Sequence, residues 1–222
     1  QIWAEYYAKM VGPENVYIID HGSTDKSLEA IEAPIQKITL PRGELDHMNI
    51  SKFCAHFQRF LLTQYEWVIH TDCDEFLVLA AEQNSLVEYI QTFPPKSTLK
   101  PGKAVELLHD PRSESPIDIS RPITVQRKWI KDNSHYEKPA ISAKPTTWLA
   151  GFHECCDERI TAEKIWLVHA KHIDEKVCLV RNSRWKALSQ SELDKRVFQI
   201  QNIPFIQATA SELYEQLLES LE

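Results

Sequence analysis

Short apolar runs alternate with stretches of helical spacing along the first 92 residues. Four of these runs are rich in β-branched or aromatic residues and predict buried strands, at residues 16–19, 35–40, 67–69 and 76–79. Helical spacing or a capping residue predicts four helices, at residues 2–11, 25–31, 47–65 and 86–92. Strand, loop, helix and strand in this order form the unit of a parallel α/β sheet. We therefore predict an α/β fold with a mostly parallel central sheet flanked by helices.

The pattern is less regular after residue 92. Further strands are predicted at residues 104–108, 124–130, 140–144 and 165–169, and further helices at 175–189, 191–199 and 211–221. Two stretches that contain proline and serine, 93–102 and 110–122, are predicted to be long loops, which are often functional in compact domains. A chain of 222 residues fits one domain, which we expect to span residues 1–222.

Composition and charge narrow the class of protein. With 43% hydrophobic and 26% charged residues, the chain resembles an ordinary soluble globular domain. The net charge of -7 argues against a nucleic-acid partner, because binding a phosphate backbone needs a basic surface. No apolar run approaches the ~20 residues that span a bilayer, so we expect no transmembrane segment. The five cysteines show no C-x-x-C spacing, which favours a reducing compartment. We expect a cytoplasmic location, which includes a peripheral position at the inner membrane face.

The strongest chemical signal follows the predicted strand at residues 67–69. Asp72, Asp74 and Glu75 come at its carboxyl end, which is where ligands bind in open α/β sheets. Residues two apart on an extended chain point to the same side, so Asp72 and Asp74 can converge on one ion. Carboxylate oxygens suit Mg²⁺ or Mn²⁺, which also bind phosphate oxygens. The alternative is a solvated acidic turn, but the position directly after a buried strand favours a metal site.

A second signal follows the predicted strand at residues 16–19. Gly22 permits a tight turn or a close approach of the backbone to a ligand. Asp20, at the end of the strand, could accept hydrogen bonds from a ribose or from a base edge. The same residues also suit a capped turn between a strand and a helix that binds nothing. Both interpretations stay open from these residues alone.

Together the two motifs resemble a known family. This chain resembles the family 2-like glycosyltransferases of GT-A fold, in the branch whose signature ends in Asp-x-Asp-Glu-Phe. The resemblance is carried by two motifs, Asp20-x-Gly22-Ser23-Thr24-Asp25 and Trp67-x-x-x-x-Asp72-x-Asp74-Glu75-Phe76. The resemblance covers residues 3–79 and returns at 144–153 and 167–169. It implies a GT-A-like, Rossmann-like sheet, whose first strand we expect to lie before residue 1.

The resemblance also implies a ligand set. The donor would be a nucleoside-diphosphate-sugar, usually UDP-linked, and the cofactor Mn²⁺ or Mg²⁺. The implied nucleotide contacts are Asp20, Gly22, Ser23, Asp25 and Asp72. The implied metal-facing residues are Asp72, Asp74, His153 and His169. Residues 1–92 would then hold nucleotide and metal, 93–190 would face a glycan, lipid-linked or protein acceptor, and 191–222 would form C-terminal helices.

The catalytic base is less well indicated. An inverting transfer needs a group that takes the proton of the acceptor hydroxyl, and the candidates are Asp157, Glu154 and Glu75, in that order. The Glu-Asp pair that often supplies the base in this family is not evident. Four basic residues of the less regular half are either solvated charges or partners of the diphosphate: Arg121, Arg127, Lys138 and Lys144.

Two other functions fit the same carboxylates. A metal-dependent phosphoryl or nucleotidyl transferase would use Asp72 and Asp74 at a phosphorus centre rather than at a sugar carbon. A GT-A-like module without catalytic activity would keep the fold and bind a partner.

Overall fold

The computed structural model describes residues 1–80 and 85–186, with side chains up to Arg181. It contains four α-helices in this range: α1 (Ile2–Val11), α2 (His47–Leu61), α3 (Leu86–Gln91) and α4 (Glu175–Lys186). The eight strands are β1 (Tyr17–Asp20), β2 (Gln36–Thr39), β3 (Val68–Ile69), β4 (Glu75–Leu79), β5 (Thr98–Leu108), β6 (Trp129–Asp132), β7 (Ile141–Ser142) and β8 (Ile160–His172). The helices predicted at residues 191–199 and 211–221 lie outside the described residues.

The strands form two sheets. β1 and β2 pair in parallel, as their order with the intervening loop predicts. The larger sheet has the order β3-β7-β5-β8-β4, with β6 also paired to β5. In this sheet only β5 and β8 run in parallel among the described strands, and the other pairs are antiparallel. The α/β class is therefore confirmed, but the larger sheet is mixed rather than mostly parallel.

The connections explain this difference. Parallel neighbours need a crossover of a dozen or more residues, whereas only residues 70–74 separate β3 from β4. The chain therefore turns sharply after β3, and β4 joins the sheet at the opposite edge, antiparallel to β8.

Several local predictions differ from the structure for reasons of long-range pairing. β5 begins at Thr98, inside the predicted loop at residues 93–102, and it continues through Pro101 and Gly102 because these sit at a shift in its register with β8. β8 is likewise much longer than the predicted strand at 165–169. Residues 25–31 form turns rather than a helix, and 124–130 includes a short 3-10 turn before β6.

The core lies between the larger sheet and the helices that cover it. Leu77, Leu99, Ile141, Ile165 and Leu167 from four neighbouring strands are wholly buried and contact α3. The helix α1 is held against β4 by two hydroxyl groups, since Tyr6 donates to the Leu77 carbonyl (2.6 Å) and Tyr7 to the Glu75 carbonyl (3.2 Å). This packing fixes the turn between β3 and β4, which carries the acidic motif.

Candidate functional site

A cleft of about 2220 Å³ runs along β1 and β3 to the turn that follows β3. Residues of that turn, including Asp72 and Asp74, line the cleft together with the end of β8 and the first turns of α4. Aromatic and aliphatic side chains from α1, α2 and residues 148–152 complete its walls. A concave, partly apolar cleft with a few converging polar groups is the usual form of a small-molecule site.

Asp74 and His169 face each other in this cleft. The antiparallel register aligns Glu75 with His169, and the Ala170 amide donates to the Asp74 carbonyl at 2.7 Å. The Asp74 Oδ1 atom therefore lies 3.6 Å from the His169 Nε2 atom, and its Oδ2 atom lies 3.5 Å from the Arg181 Nη1 atom. The sequence predicted both Asp74 and His169 as metal-facing residues, and the structure brings these two together.

Glu106 holds His169 from behind. On the parallel neighbour β5, Glu106 is aligned with His169, and its Oε1 atom lies 3.0 Å from the His169 Nδ1 atom. Burial opposes the charged imidazolium, but the carboxylates of Asp74 and Glu106 outweigh it and raise the pKa of His169 to about 9. His169 is therefore protonated at neutral pH and paired with a carboxylate on each side.

The second oxygen of Glu106 engages another histidine. The His172 Nδ1 atom lies 3.0 Å from the Glu106 Oε2 atom, while the His172 Nε2 atom is buried and has no hydrogen-bond partner among the described residues. His169 and His172 are three apart, a spacing that would put them on opposite faces of a regular strand. A register shift between β5 and β8 at this point turns both rings to the same carboxylate.

Asp72 belongs to a different charge cluster. The Lys138 Nζ atom lies 3.1 Å from the Asp72 Oδ2 atom and 2.6 Å from the Glu75 Oε2 atom. The side chains of Lys138 and Glu75 are 1% and 0% exposed, whereas that of Asp72 is 52% exposed. Burial raises the pKa of Glu75, and the attraction of Lys138 keeps the pKa of Asp72 low although burial opposes it. Asp72 and Asp74 thus have different partners in the structure.

The loop after β1 is a closed turn. Both oxygens of Asp20 lie 3.1 Å from the Ser23 amide, which donates to them, and Asp20 is buried outside the cleft lining. Gly22 has φ +64, and a Cβ atom there would lie 3.0 Å from Arg42. Asp25 accepts from the Ser27 amide at 3.1 Å. Gly22, Ser23 and Asp25 are also absent from the cleft lining, so the turn itself accounts for this motif.

Of the three predicted bases, only Glu154 lines the cleft. Glu75 is wholly buried and paired with Lys138, so it cannot contact an acceptor in this structure. Asp157 lies outside the cleft lining, 3.6 Å from the Lys144 Nζ atom. Glu154 lines the cleft but is paired with Arg159 at 2.7 Å. Glu154 is therefore the one predicted base that the structure places at the cleft, with Arg159 at its carboxylate.

His153 is likewise separated from the carboxylates. Its Nδ1 atom lies 2.9 Å from the His135 carbonyl oxygen, and burial lowers its pKa. The ring of Tyr136 packs against His153 and His169, with centroids 5.3 and 4.1 Å away. His153 lines the cleft, but it does not join His169 at Asp74.

No protein-family model matches this chain, and a search of curated proteins finds no significant match. In the part of the chain that the structure describes, no group of three or more His, Cys, Asp or Glu side chains is arranged to hold a metal ion. No helix among residues 1–80 and 85–186 has the length and apolar character to cross a membrane. All five cysteines are unpaired.

The sequence did not predict two buried residues of the site, Glu106 and His172, and it predicted Lys138 only as a solvated charge or a partner of the diphosphate. Glu106 stands within the apolar run 104–108, where a carboxylate needs a partner to be buried. A carboxylate inside this apolar run therefore indicates a buried, paired Glu106. The partners themselves lie on other strands, so the sequence did not indicate them.

Proposed function

We propose that this protein is a metal-dependent glycosyltransferase of GT-A-like fold that uses a nucleoside-diphosphate-sugar, most simply a UDP-sugar. The observation that carries the proposal is the pair formed by Asp74 and His169 on the wall of the cleft, 3.6 Å apart and backed by Glu106. The acidic motif after the short, half-buried strand β3, together with the parallel pair of β1 and β2, supports the GT-A-like assignment.

The donor atoms of this pair fit Mn²⁺ or Mg²⁺. A carboxylate oxygen and an imidazole nitrogen suit Mn²⁺, and a metal-binding histidine commonly donates its other N–H to a carboxylate, as His169 can to Glu106. Ions of this kind often take only one or two protein ligands and complete their coordination with water and substrate phosphates. Two ligands, rather than three, are therefore compatible with a site that forms fully with the donor. The metal would neutralise the charge of the departing diphosphate.

Other groups of the cleft suit the remainder of a nucleotide-sugar. Asp72 keeps one carboxylate oxygen that is not bonded to Lys138, and it is exposed enough to accept a hydrogen bond from a ribose or sugar hydroxyl. Lys171 and Arg181 line the same part of the cleft as Asp74, where positive charge favours a diphosphate.

The metal assignment can be tested by calorimetry. Titration of the protein with UDP in the presence of Mn²⁺ is expected to show binding, and Asp74→Ala should weaken it by at least about 100-fold, because a direct ligand matters more than the outer partners that contribute 10–100-fold. Asp132→Ala is the matched control, since Asp132 of β6 pairs with Lys103 of β5 and is not part of the cleft lining. Equal binding by wild type and Asp74→Ala would remove the metal from this position.

Product analysis separates the proposal from its rivals. Incubation with UDP-sugars and Mn²⁺ should release UDP, with the sugar moved to an acceptor or to water. Release of UMP or inorganic phosphate would instead indicate a nucleotidyl or phosphoryl enzyme. Nucleotide binding without any turnover across a broad donor and acceptor panel would indicate a binding module.

A further inference from the structure

The proposed transfer needs a proton acceptor beside the cleft, and the acidic residues predicted for it are buried or paired elsewhere. Glu75 also has a buried carboxylate oxygen, Oε1, without a hydrogen-bond partner among the described residues, but it does not line the cleft. His172 lines the cleft and is only 5% exposed, and no described residue hydrogen-bonds to its Nε2 atom. A buried nitrogen without a partner is costly, so it indicates a group that is satisfied in another state of the protein.

The other nitrogen of His172 is held in place. The Glu106 Oε2 atom, 3.0 Å from the His172 Nδ1 atom, selects the tautomer with the proton on Nδ1 and the lone pair on Nε2. Glu106 would also stabilise the imidazolium that forms when Nε2 accepts a proton. A carboxylate behind one ring nitrogen and a free second nitrogen are the features of a histidine base.

Resting on the proposed function, we infer that His172 is the catalytic base that takes the proton from the acceptor hydroxyl through Nε2. As the proton passes to Nε2, the acceptor oxygen forms a bond to the anomeric carbon of the sugar. The bond from that carbon to the diphosphate oxygen breaks, and its electron pair leaves with the diphosphate. The step requires the hydroxyl to come within about 3 Å of Nε2.

The charges around His172 are consistent with a neutral resting state. Burial lowers its pKa, which Glu106 on β5 partly opposes, while Lys171 on β8 and Arg181 on α4 lower it further. The imidazole is therefore neutral at pH 7 and can accept a proton. Turnover should lose activity in acid as His172 becomes protonated, and this acid limb should be absent from a variant without the imidazole.

The test compares two histidine variants in the intact chain. His172→Gln keeps a side-chain amide that can donate to Glu106, so Mn²⁺-dependent UDP binding should stay within about twofold of wild type, while UDP release from UDP-sugars falls by about 100- to 10,000-fold. His56→Gln is the control, because His56 is exposed on α2 and lies outside the cleft lining. It should retain wild-type turnover.

The outcomes are distinct for the two proposals. If the wild-type protein does not bind UDP in the presence of Mn²⁺, the proposed function is refuted, and the inference that rests on it is refuted as well. Normal binding with unchanged turnover and an unchanged acid limb in His172→Gln would refute the base alone. A second measurement does not depend on the reaction: ¹⁵N NMR of the imidazoles at pH 7 should show His172 protonated on Nδ1 only. A proton on Nε2 would overturn the inference even if the variant proved unstable.

Discussion

Replacing Lys138 with methionine tests the buried charge cluster behind the acidic motif. The Lys138 ammonium group lies 2.6 Å from a wholly buried carboxylate of Glu75 and 3.1 Å from Asp72. Methionine has a similar length and no charge, so the substitution removes the ion pair with little change in volume. Asp72 is 52% exposed and can remain ionised in water, whereas the buried Glu75 must become neutral.

The cost can be worked out from the protonation of Glu75. Its ordinary pKa is 4.5. Keeping it protonated at pH 7 therefore costs about 3.4 kcal/mol, at ~1.36 kcal/mol per pH unit, and only about 0.7 kcal/mol at pH 5. Because the native variant binds a proton that the unfolded chain has lost above pH 4.5, its stability falls as the pH rises. The value at pH 7 agrees with the ~3–5 kcal/mol typical of breaking a buried ion pair.

Urea unfolding at both pH values measures the prediction. Lys138→Met should lose about 3 kcal/mol at pH 7 and about 1 kcal/mol at pH 5. The double variant Glu75→Gln with Lys138→Met removes both charges and should recover most of the loss at pH 7. An equal loss at both pH values, or a double variant no more stable than Lys138→Met, would show that the cluster does not stabilise the fold through charge compensation.

Three further predictions concern β5 and β8. In the metal-free protein the pKa of His169 is raised from 6.5 to about 9, so His169 should contribute about 3 kcal/mol to the free energy of unfolding. This contribution is fully present below pH 6.5 and is lost as the pH rises through 9. His169→Gln should remove this pH dependence from urea unfolding curves. Gly102→Ala should destabilise the fold by about 1–3 kcal/mol, because its Cβ atom would lie 2.6 Å from main-chain atoms of Glu163. Gly43→Ala, whose Cβ atom would lie 4.0 Å from the His21 Nε2 atom, should be nearly neutral by thermal unfolding. Glu106→Gln should weaken Mn²⁺-dependent UDP binding by about 10–100-fold in calorimetry and should also slow UDP release from UDP-sugars. His172→Gln, in contrast, should slow UDP release while binding stays within about twofold of wild type.

Local patterns predicted α1, α2, α3 and the strands β1 to β4 well, but not the turns at residues 25–31. The helical spacing at residues 2–11 and 47–65 corresponds to α1 and α2 in the structure, where Asp46 caps α2 by accepting from the Asn49 amide at 2.9 Å. These features depend on neighbours within one or two turns, which the sequence displays directly. The resemblance to GT-A glycosyltransferases also predicted that Asp74 and His169 face the same metal, and the two side chains lie 3.6 Å apart in the structure.

The remaining features depend on contacts between distant segments. Pro101 and Gly102 normally interrupt a strand, yet β5 continues through them because the main chain of β8 approaches too closely for any side chain at Gly102. The sequence places Lys138 among four scattered basic residues, but its burial depends on Asp72 and Glu75, more than sixty residues earlier in the chain. Spacing within one segment contains no information about such pairs.

A single carboxylate links the two chemical roles proposed for the cleft. Glu106 accepts one hydrogen bond from His169, beside the proposed metal, and one from His172, the proposed base. In the metal-free protein His169 is an imidazolium, and a bound cation would replace its proton with another positive charge at the same nitrogen. Glu106 therefore faces positive charge on one side in both states and stays ionised, which keeps the His172 proton on Nδ1. The register shift in β8 that turns both rings to Glu106 is thus the structural feature on which the site depends.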